Sequence, residues 1–79
     1  MFIIQEIQTD EYGVVAFLPA EQKTTREAAE STFYYKCGSA VVSSVPIHTI
    51  ITYTEEGFTI PELTKCFKHP PVNTEEASE

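Results

Sequence analysis

The sequence predicts a small α+β domain, in which four strands form one antiparallel sheet and a single helix packs on one face of it. Two apolar segments flank a glycine-containing turn near the N-terminus, a helical periodicity occupies the middle, and two further strand-like segments follow a proline. The predicted order is β-β-α-β-β. A chain of 79 residues is long enough for one domain, which we place at residues 1–69.

The first two strands are predicted at residues 2–8 (FIIQEIQ) and 14–18 (VVAFL), the second ending before Pro19. The residues between them, TDEYG, have turn chemistry, and Gly13 can adopt a positive φ angle. This spacing predicts an antiparallel hairpin.

A helix is predicted from about residue 25 to residue 44. Thr24-Thr25-Arg26-Glu27 fits a capping box, in which a threonine hydroxyl accepts from the N3 amide while the glutamate reaches back. Pro46 ends the helical region because it pushes the preceding residue out of helical geometry. Apolar and small residues recur at steps of three and four, namely Ala29, Phe33, Cys37, Ala40, Val41 and Ser44.

Gly38 leaves an alternative open. It could end a shorter helix, in which case SAVVSS would form an extra strand. We favour a continuous helix, in which Gly38 permits close approach to the sheet.

The third strand is predicted in PIHTIITYT, which alternates in the period of two and is rich in β-branched residues. The turn EEG follows at 55–57, and FTIPELTKCFKH forms the fourth strand. Pro61 cannot donate to a ladder, so it favours an edge position or a bulge. Residues 70–79 are expected to form an acidic, disordered tail.

Isoleucines occupy both phases of the first and third strands, although one helix can cover only one face of the sheet. An uncovered apolar face indicates an interaction surface. We therefore expect self-association through the sheet, most economically as a homodimer. The candidate interface residues are Tyr34, Tyr35, Ile50 and Phe67.

Twelve acidic residues against five basic ones give a net charge of −7. This charge disfavours direct nucleic-acid binding, because such affinity rests on lysine and arginine displacing counterions. No segment has the length of a membrane span, and the N-terminus lacks the basic region of a secretory signal. We expect a cytoplasmic protein with reduced cysteines.

Four side chains are candidates for metal ligation or nucleophilic chemistry: Cys37, His48, Cys66 and His69. Only Cys66 and His69 have a short spacing, and a regular strand places them on opposite faces. Cys37 is expected to be buried and inert, and Cys66 could reach His48 only through strand pairing. The sequence thus predicts no catalytic residue, cofactor or metal. Pro46 and His48 are interpreted as a structural joint, fixed by a histidine hydrogen bond.

The segment SAVVSSVPIHTIITYTEEGFTIPELTKCFKH, residues 39–69, resembles short uncharacterised proteins of phages and integrative elements from anaerobic gut Firmicutes. Their shared pattern is a helix ending in VSSVP-HT, an apolar strand, a turn glycine, and a strand closing near an aromatic and KH. The IPE around Pro61 departs from that pattern. The resemblance transfers no binding residue and implies an accessory role in a bacterial host cell.

We therefore expect a non-enzymatic binding or accessory protein that acts on a host protein through protein–protein contact. One alternative is a dimer that binds or sequesters a nucleotide-like small molecule, although only five basic residues could line its site. Another is a DNA-mimic inhibitor of a basic partner, for which the acidic surface would be suited.

Overall fold

A computed structural model describes residues 1–69 of the chain, so the expected acidic tail at 70–79 lies outside the described residues. The described part contains five strands and one helix. Their bounds are β1 Phe2–Thr9, β2 Val15–Phe17, β3 Glu21–Lys23, α1 Arg26–Val41, β4 Ile47–Thr54 and β5 Thr59–Lys68.

The strands form one antiparallel sheet in the order β2-β1-β4-β5, and β3 also pairs with β1. This arrangement confirms the predicted α+β architecture with one helix and adds a strand that the sequence did not predict. β3 has the sequence EQK, which carries no apolar alternation to reveal a strand. Its Glu21 accepts a salt bridge from Lys36 of α1 at 3.3 Å, so β3 connects the sheet edge to the helix.

The predicted hairpin turns are present on both sides of the helix. Gly13 adopts φ +82° between β1 and β2, and Gly57 adopts φ +96° between β4 and β5. Both angles lie in the left-handed region, which glycine occupies without a Cβ penalty. Asp10 Oδ1 accepts from the main-chain amides of Tyr12 and Val14, which fixes the first turn.

The helix begins one residue later than a Thr24–Glu27 capping box would place it. Thr25 is the N-cap, and its Oγ1 accepts from the amide of Ala28 at 3.1 Å. Position N3 is therefore an alanine, whose methyl group cannot return the hydrogen bond. The box is not formed, and a single threonine hydroxyl caps the helix.

At its other end, α1 stops at Val41 instead of continuing to residue 44. Ser43 Oγ accepts from the amide of Val45 at 3.0 Å, a local turn that competes with helical bonding. The helix continues through Gly38, as we favoured, but Gly38 is exposed and a Cβ placed there would meet no atom within 4 Å. The expectation that it permits close approach to the sheet is therefore wrong.

Close packing between helix and sheet depends instead on two alanines. Ala29 and Ala40 are fully buried on the inner side of α1, and Phe33 fills the space between them. Alanine in these positions lets the helix backbone lie near the strands. The core as a whole consists of Ile4, Ala29, Phe33, Ala40, Ile50, Ile60 and Leu63.

Strand β5 is irregular around Pro61, as predicted. Tyr53 pairs with Thr59 whereas Ile51 pairs with Thr64, so β5 carries extra residues relative to β4. The irregularity places Ile60 and Leu63 in the core although their odd separation would put them on opposite faces of a regular strand. β5 also lies at the edge of the sheet, where a proline does not interrupt a central ladder.

Candidate functional site

His48 lies beneath α1 and is only 3 % exposed. Its Nδ1 is 2.5 Å from Oε2 of Glu6, another buried residue, and the Nε2 group of Gln8 donates to the same carboxylate oxygen at 3.1 Å. His48 therefore connects β4 to β1 across the middle of the sheet. This position corrects its assignment to the joint between helix and strand.

The joint is held by His69, which sequence reasoning left without a structural role. The main-chain amide of His69 donates to the carbonyl of Pro46 at 2.6 Å, and its Nε2 donates to the carbonyl of Ala40 at 2.7 Å. A donor near the last carbonyls of a helix stabilises its C-terminus. In the sequence, His69 is recognisable only as a histidine at the end of the last predicted strand. The strand pairing is needed to show that this position lies at the C-terminal end of α1.

The two cysteines lie on opposite sides of the sheet. Cys37 lies on α1 and packs against the core, while Cys66 is exposed and pairs with Thr49, whose Oγ1 donates to its sulfur at 3.5 Å. Within residues 1–69, neither thiol forms a hydrogen bond with His48. The described residues also contain no group of three or more His, Cys, Asp or Glu arranged to hold a metal.

Burial raises the pKa of the Cys37 thiol above its ordinary value. The nearby ammonium of Lys65 lowers this pKa and the carboxylate of Glu6 raises it, so Lys65 and Glu6 both lie near the thiol. A raised pKa keeps the sulfur protonated at neutral pH, which makes it a poor nucleophile.

The face of the sheet opposite the helix has no covering element among residues 1–69. Strand register defines this open face, because residues directly across from one another share a side of the sheet. Four cross-strand rows can be traced, and each contains one isoleucine from β1 or β4. The rows are Val15-Thr9-Ile47-Lys68, Phe17-Ile7-Thr49-Cys66, Gln5-Ile51-Thr64 and Gln22-Ile3-Tyr53-Thr59.

Among residues 1–69, no paired position of the open face carries a carboxylate, and the exposed Glu62 lies in the irregular stretch of β5 outside the pairing. Its polar side chains are mostly threonine and glutamine, which can be buried once they are hydrogen-bonded. The isoleucines form a zigzag through the two central strands. This composition is that of a surface that can meet another protein surface without desolvating an acid.

The four candidate interface residues fall into two groups. Tyr34 and Tyr35 are exposed on the outer surface of α1. Ile50 is fully buried under the helix, and Phe67 packs against the core on the same side. These two are therefore part of the monomer core, which corrects their assignment to an interface.

A shallow cleft of about 290 Å³ lies between the β1–β2 turn and the segment that follows α1. It is lined by Asp10, Glu11, Tyr12, Ser44, Val45 and Pro46. Two acidic residues and no base line this cleft, which disfavours a phosphate-bearing ligand there.

Within residues 1–69 the helix is neither long enough nor apolar enough to cross a bilayer. Comparison of the chain with protein-family models, curated proteins and solved structures gives no match.

Proposed function

We propose that the chain is a non-enzymatic binding protein that acts through protein–protein contact and forms a homodimer through its open face. The observation that carries the proposal is the composition of that face, on which isoleucines alternate with neutral polar residues and no paired position carries a carboxylate. A small domain with one face of its sheet uncovered gains stability when a second surface removes the isoleucines from water.

Charge favours a second copy as the occupant of the open face. The chain has a net charge of −7, so two copies repel one another through most of their surfaces. Within residues 1–69, the only charged group at a paired position of the open face is Lys68, opposite Ile47 at the margin. Face-to-face contact is therefore the orientation in which two copies bring the fewest like charges together.

The size of the face indicates a reversible dimer. β1, β4 and β5 are eight to ten residues long, and the three-residue strands β2 and β3 lie one after the other along the free edge of β1. With strands about 4.8 Å apart and about 3.3 Å per residue, the face presents roughly 500 Å² before side-chain relief is added. Stable interfaces bury about 800 Å² of accessible surface per partner, so this one lies at the small end of the range. We expect dimerisation in the micromolar range.

The resemblance of residues 39–69 to phage and integrative-element proteins supports a more specific form of the proposal. In this form the protein acts in the cytoplasm of a bacterial host cell and modulates a host protein. The acidic balance of the chain suits a basic partner.

Two exposed phenylalanines provide a matched test. Phe17 is 68 % exposed and lies on the open face, whereas Phe58 is 73 % exposed and lies in the turn between β4 and β5. Sedimentation equilibrium from about 1 μM to 1 mM should show a monomer–dimer equilibrium for the wild type. Phe17→Asp should weaken dimerisation at least tenfold, and Phe58→Asp should leave it unchanged.

A wild-type chain that stays monomeric at 1 mM, or equal effects of the two substitutions, would contradict the open-face dimer. Ile7→Thr provides a central variant that keeps a β-branched side chain and should also weaken the dimer. A nucleotide that raised the melting temperature by several degrees in a thermal-shift screen would favour a sequestering function instead.

A further inference from the structure

β2 is an edge strand of the sheet, and its outer edge is bare. Within residues 1–69 it contacts no strand or helix other than β1, and all three of its residues are exposed. Val15 and Phe17 remain 50 % and 68 % exposed although both are paired with β1. A bare edge of this kind presents backbone groups with which another chain can pair.

The hydrogen bonds to β1 show which backbone groups of β2 point outward. The carbonyl of Val14 accepts from the first amide after β1, and the amide of Leu18 donates to the carbonyl of Glu6, both at 3.0 Å. Successive pairs of an antiparallel ladder alternate between exchanging both hydrogen bonds and exchanging none. Positions 14, 16 and 18 therefore bond to β1, and the N–H and C=O groups of Val15 and Phe17 point away from it.

These outward groups determine the kind of occupant. Within residues 1–69, no strand lies on the outer side of β2, and no turn or loop forms a hydrogen bond with the backbone of Val15 or Phe17. An extended backbone has donors and acceptors at the spacing of such a row, because it repeats every two residues as β2 does. The occupant is therefore a strand, added beside β2 in the plane of the sheet.

The bare stretch is short and has defined ends. The β1–β2 turn precedes it, and the register along β1 shifts by one residue between β2 and β3, which bends the edge at Pro19. Pro19 also has no N–H to offer. An added strand therefore pairs at two of its residues, one opposite Val15 and one opposite Phe17, and each pair exchanges two hydrogen bonds.

The side chains along the edge determine which strand fits. Val15 and Phe17 lie on the open face, so the residues opposite them place their side chains beside an apolar pair. Ala16 lies between them and is small. Residues 14–18, VVAFL, carry no charge in a chain whose net charge is −7. An uncharged segment with β-branched residues at alternate positions meets these requirements.

A second copy supplies that strand poorly. When β2 aligns antiparallel with itself about Ala16, Phe17 opposes Val15 and Glu21 opposes Glu11. Like charges placed opposite one another are destabilising. Glu11 has no salt-bridge partner among residues 1–69, so lysine or arginine in the place of Glu21 turns this repulsion into attraction. Charge therefore favours a different protein as the partner.

We infer that the outer edge of β2 binds an extended segment of a partner protein by antiparallel strand addition. The segment has apolar, β-branched residues opposite Val15 and Phe17 and a basic residue after its strand, where it meets Glu11. Its backbone bonds to the outward groups of Val15 and Phe17, and its side chains extend the open face by one strand.

This inference rests on the proposal that the protein acts through protein–protein contact, and it identifies one such contact. The dimer uses side chains of the open face, whereas the added strand uses backbone groups at the edge. Val15 and Phe17 contribute to both surfaces. The test therefore alters backbone amides and leaves the side chains comparable.

The test uses two synthetic peptides of the same sequence, in which valine alternates with threonine and two lysines follow. The first is N-methylated on its threonine amides, which leaves the valine amides free to face β2, and the second is N-methylated on its valine amides. Heteronuclear NMR of the full chain measures binding and maps it. The first peptide should bind at least tenfold more tightly and shift the amide signals of Val15 and Phe17. Its affinity should fall as salt is raised.

Val15→Pro removes one outward amide and no hydrogen bond to β1, since an edge position tolerates proline. Val15→Thr is the matched control, because it keeps the amide and a β-branched side chain. Val15→Pro should weaken binding of the first peptide at least tenfold, and Val15→Thr should keep it. The two variants should melt at the same temperature. The comparison of the two peptides on the wild type needs no variant, so it decides the matter even if Val15→Pro unfolds.

No binding of the first peptide, or equal binding of the two peptides, would overturn the inference. A loss of self-association in Val15→Pro that Val15→Thr does not share would also overturn it, because the edge would then pair two copies. If neither peptide binds while Phe17→Asp still weakens the dimer, only the inference about the edge is lost. If the wild type is monomeric but binds the first peptide through the amide of Val15, only the open-face dimer is lost.

Discussion

Glu6 and His48 form a buried pair across β1 and β4, with Nδ1 of the histidine 2.5 Å from Oε2 of the glutamate. Their side chains are 8 % and 4 % exposed, so neither group can turn to water when its partner is removed. The pair occupies the side of the sheet on which Ile4 and Ile50 form the apolar core.

We expect either single substitution, Glu6→Leu or His48→Leu, to lower the free energy of unfolding by about 3 kcal/mol, because each removes the hydrogen bond between the two buried side chains and leaves the former partner in the core. The double variant Glu6→Leu/His48→Leu should recover most of this loss, since neither member of the pair is left in the core without the other. Urea denaturation of the four proteins measures the coupling between the two residues. Single variants within about 1 kcal/mol of the wild type would contradict a tightly coupled pair.

Glu30 provides the control for the buried pair, because its salt bridge with Arg26 is at the surface of α1. Glu30→Leu should change the free energy of unfolding by no more than about 0.5 kcal/mol.

Thr25 is expected to contribute measurably to helix stability through its cap. Thr25→Ala removes the acceptor for the Ala28 amide and should destabilise the protein by about 1 kcal/mol. For a domain of this size, that corresponds to a fall in melting temperature of about 4–8 °C. Thr24→Ala is the control. An equal loss of stability in this variant would indicate that Thr24 caps the helix, as the predicted capping box requires.

His69 is expected to hold the end of the helix. His69→Ala removes the hydrogen bond from Nε2 to the carbonyl of Ala40 and should cost about 1 kcal/mol of stability. Amide hydrogen exchange should accelerate at Ser43, whose N–H donates to the same carbonyl. Lys68→Ala, at the exposed preceding position, should leave both measurements unchanged.

The two cysteines should differ in reactivity. Cys66 is exposed, whereas burial raises the pKa of the Cys37 thiol, with Lys65 opposing and Glu6 adding to the effect. Iodoacetamide at pH 8 should therefore modify Cys66 first, and the two rates should converge in urea. Faster modification of Cys37 in the native protein would contradict the burial described for it.

The raised pKa of Cys37 also makes stability depend on pH. The folded state favours the protonated thiol, so this contribution is present below the ordinary thiol pKa of about 8.5 and is lost as pH rises through the higher folded value. Urea midpoints should fall more steeply above pH 8.5 for the wild type than for Cys37→Ala. Cys66→Ala should follow the wild type.

The alternation of residues in β1 and β4 predicted the strands, but not which of their faces meets the helix. Isoleucine occurs in both phases, so Ile50 was assigned to an interface although it is fully buried. The hydrogen bond between Glu6 and His48 shows which face of β1 and β4 meets the helix. These two residues are 42 positions apart in the chain, and they meet only because of the register between the two strands. Periodicity contains no information about that register.

Local chemistry predicted other features better. Gly13, Gly57 and Pro61 act where their backbone preferences require, in two turns and an irregular edge strand. The strand β3 was missed because its three polar residues give no pattern, and it forms through pairing with β1 and through the Glu21–Lys36 salt bridge. The open face could be anticipated from composition, whereas its freedom from carboxylates became visible only with the pairing.

The irregular stretch around Pro61 also determines how the sheet can grow. A long outer strand with a free row of amides and carbonyls is a template for further strands, and repeated addition of this kind leads to fibrils. On β5 that row is interrupted, since Pro61 has no N–H to offer and the register shifts beside it. Lys65 and Lys68 add charge along the rest of the strand. Concentrating the protein should therefore give closed pairs of molecules and not extended polymers.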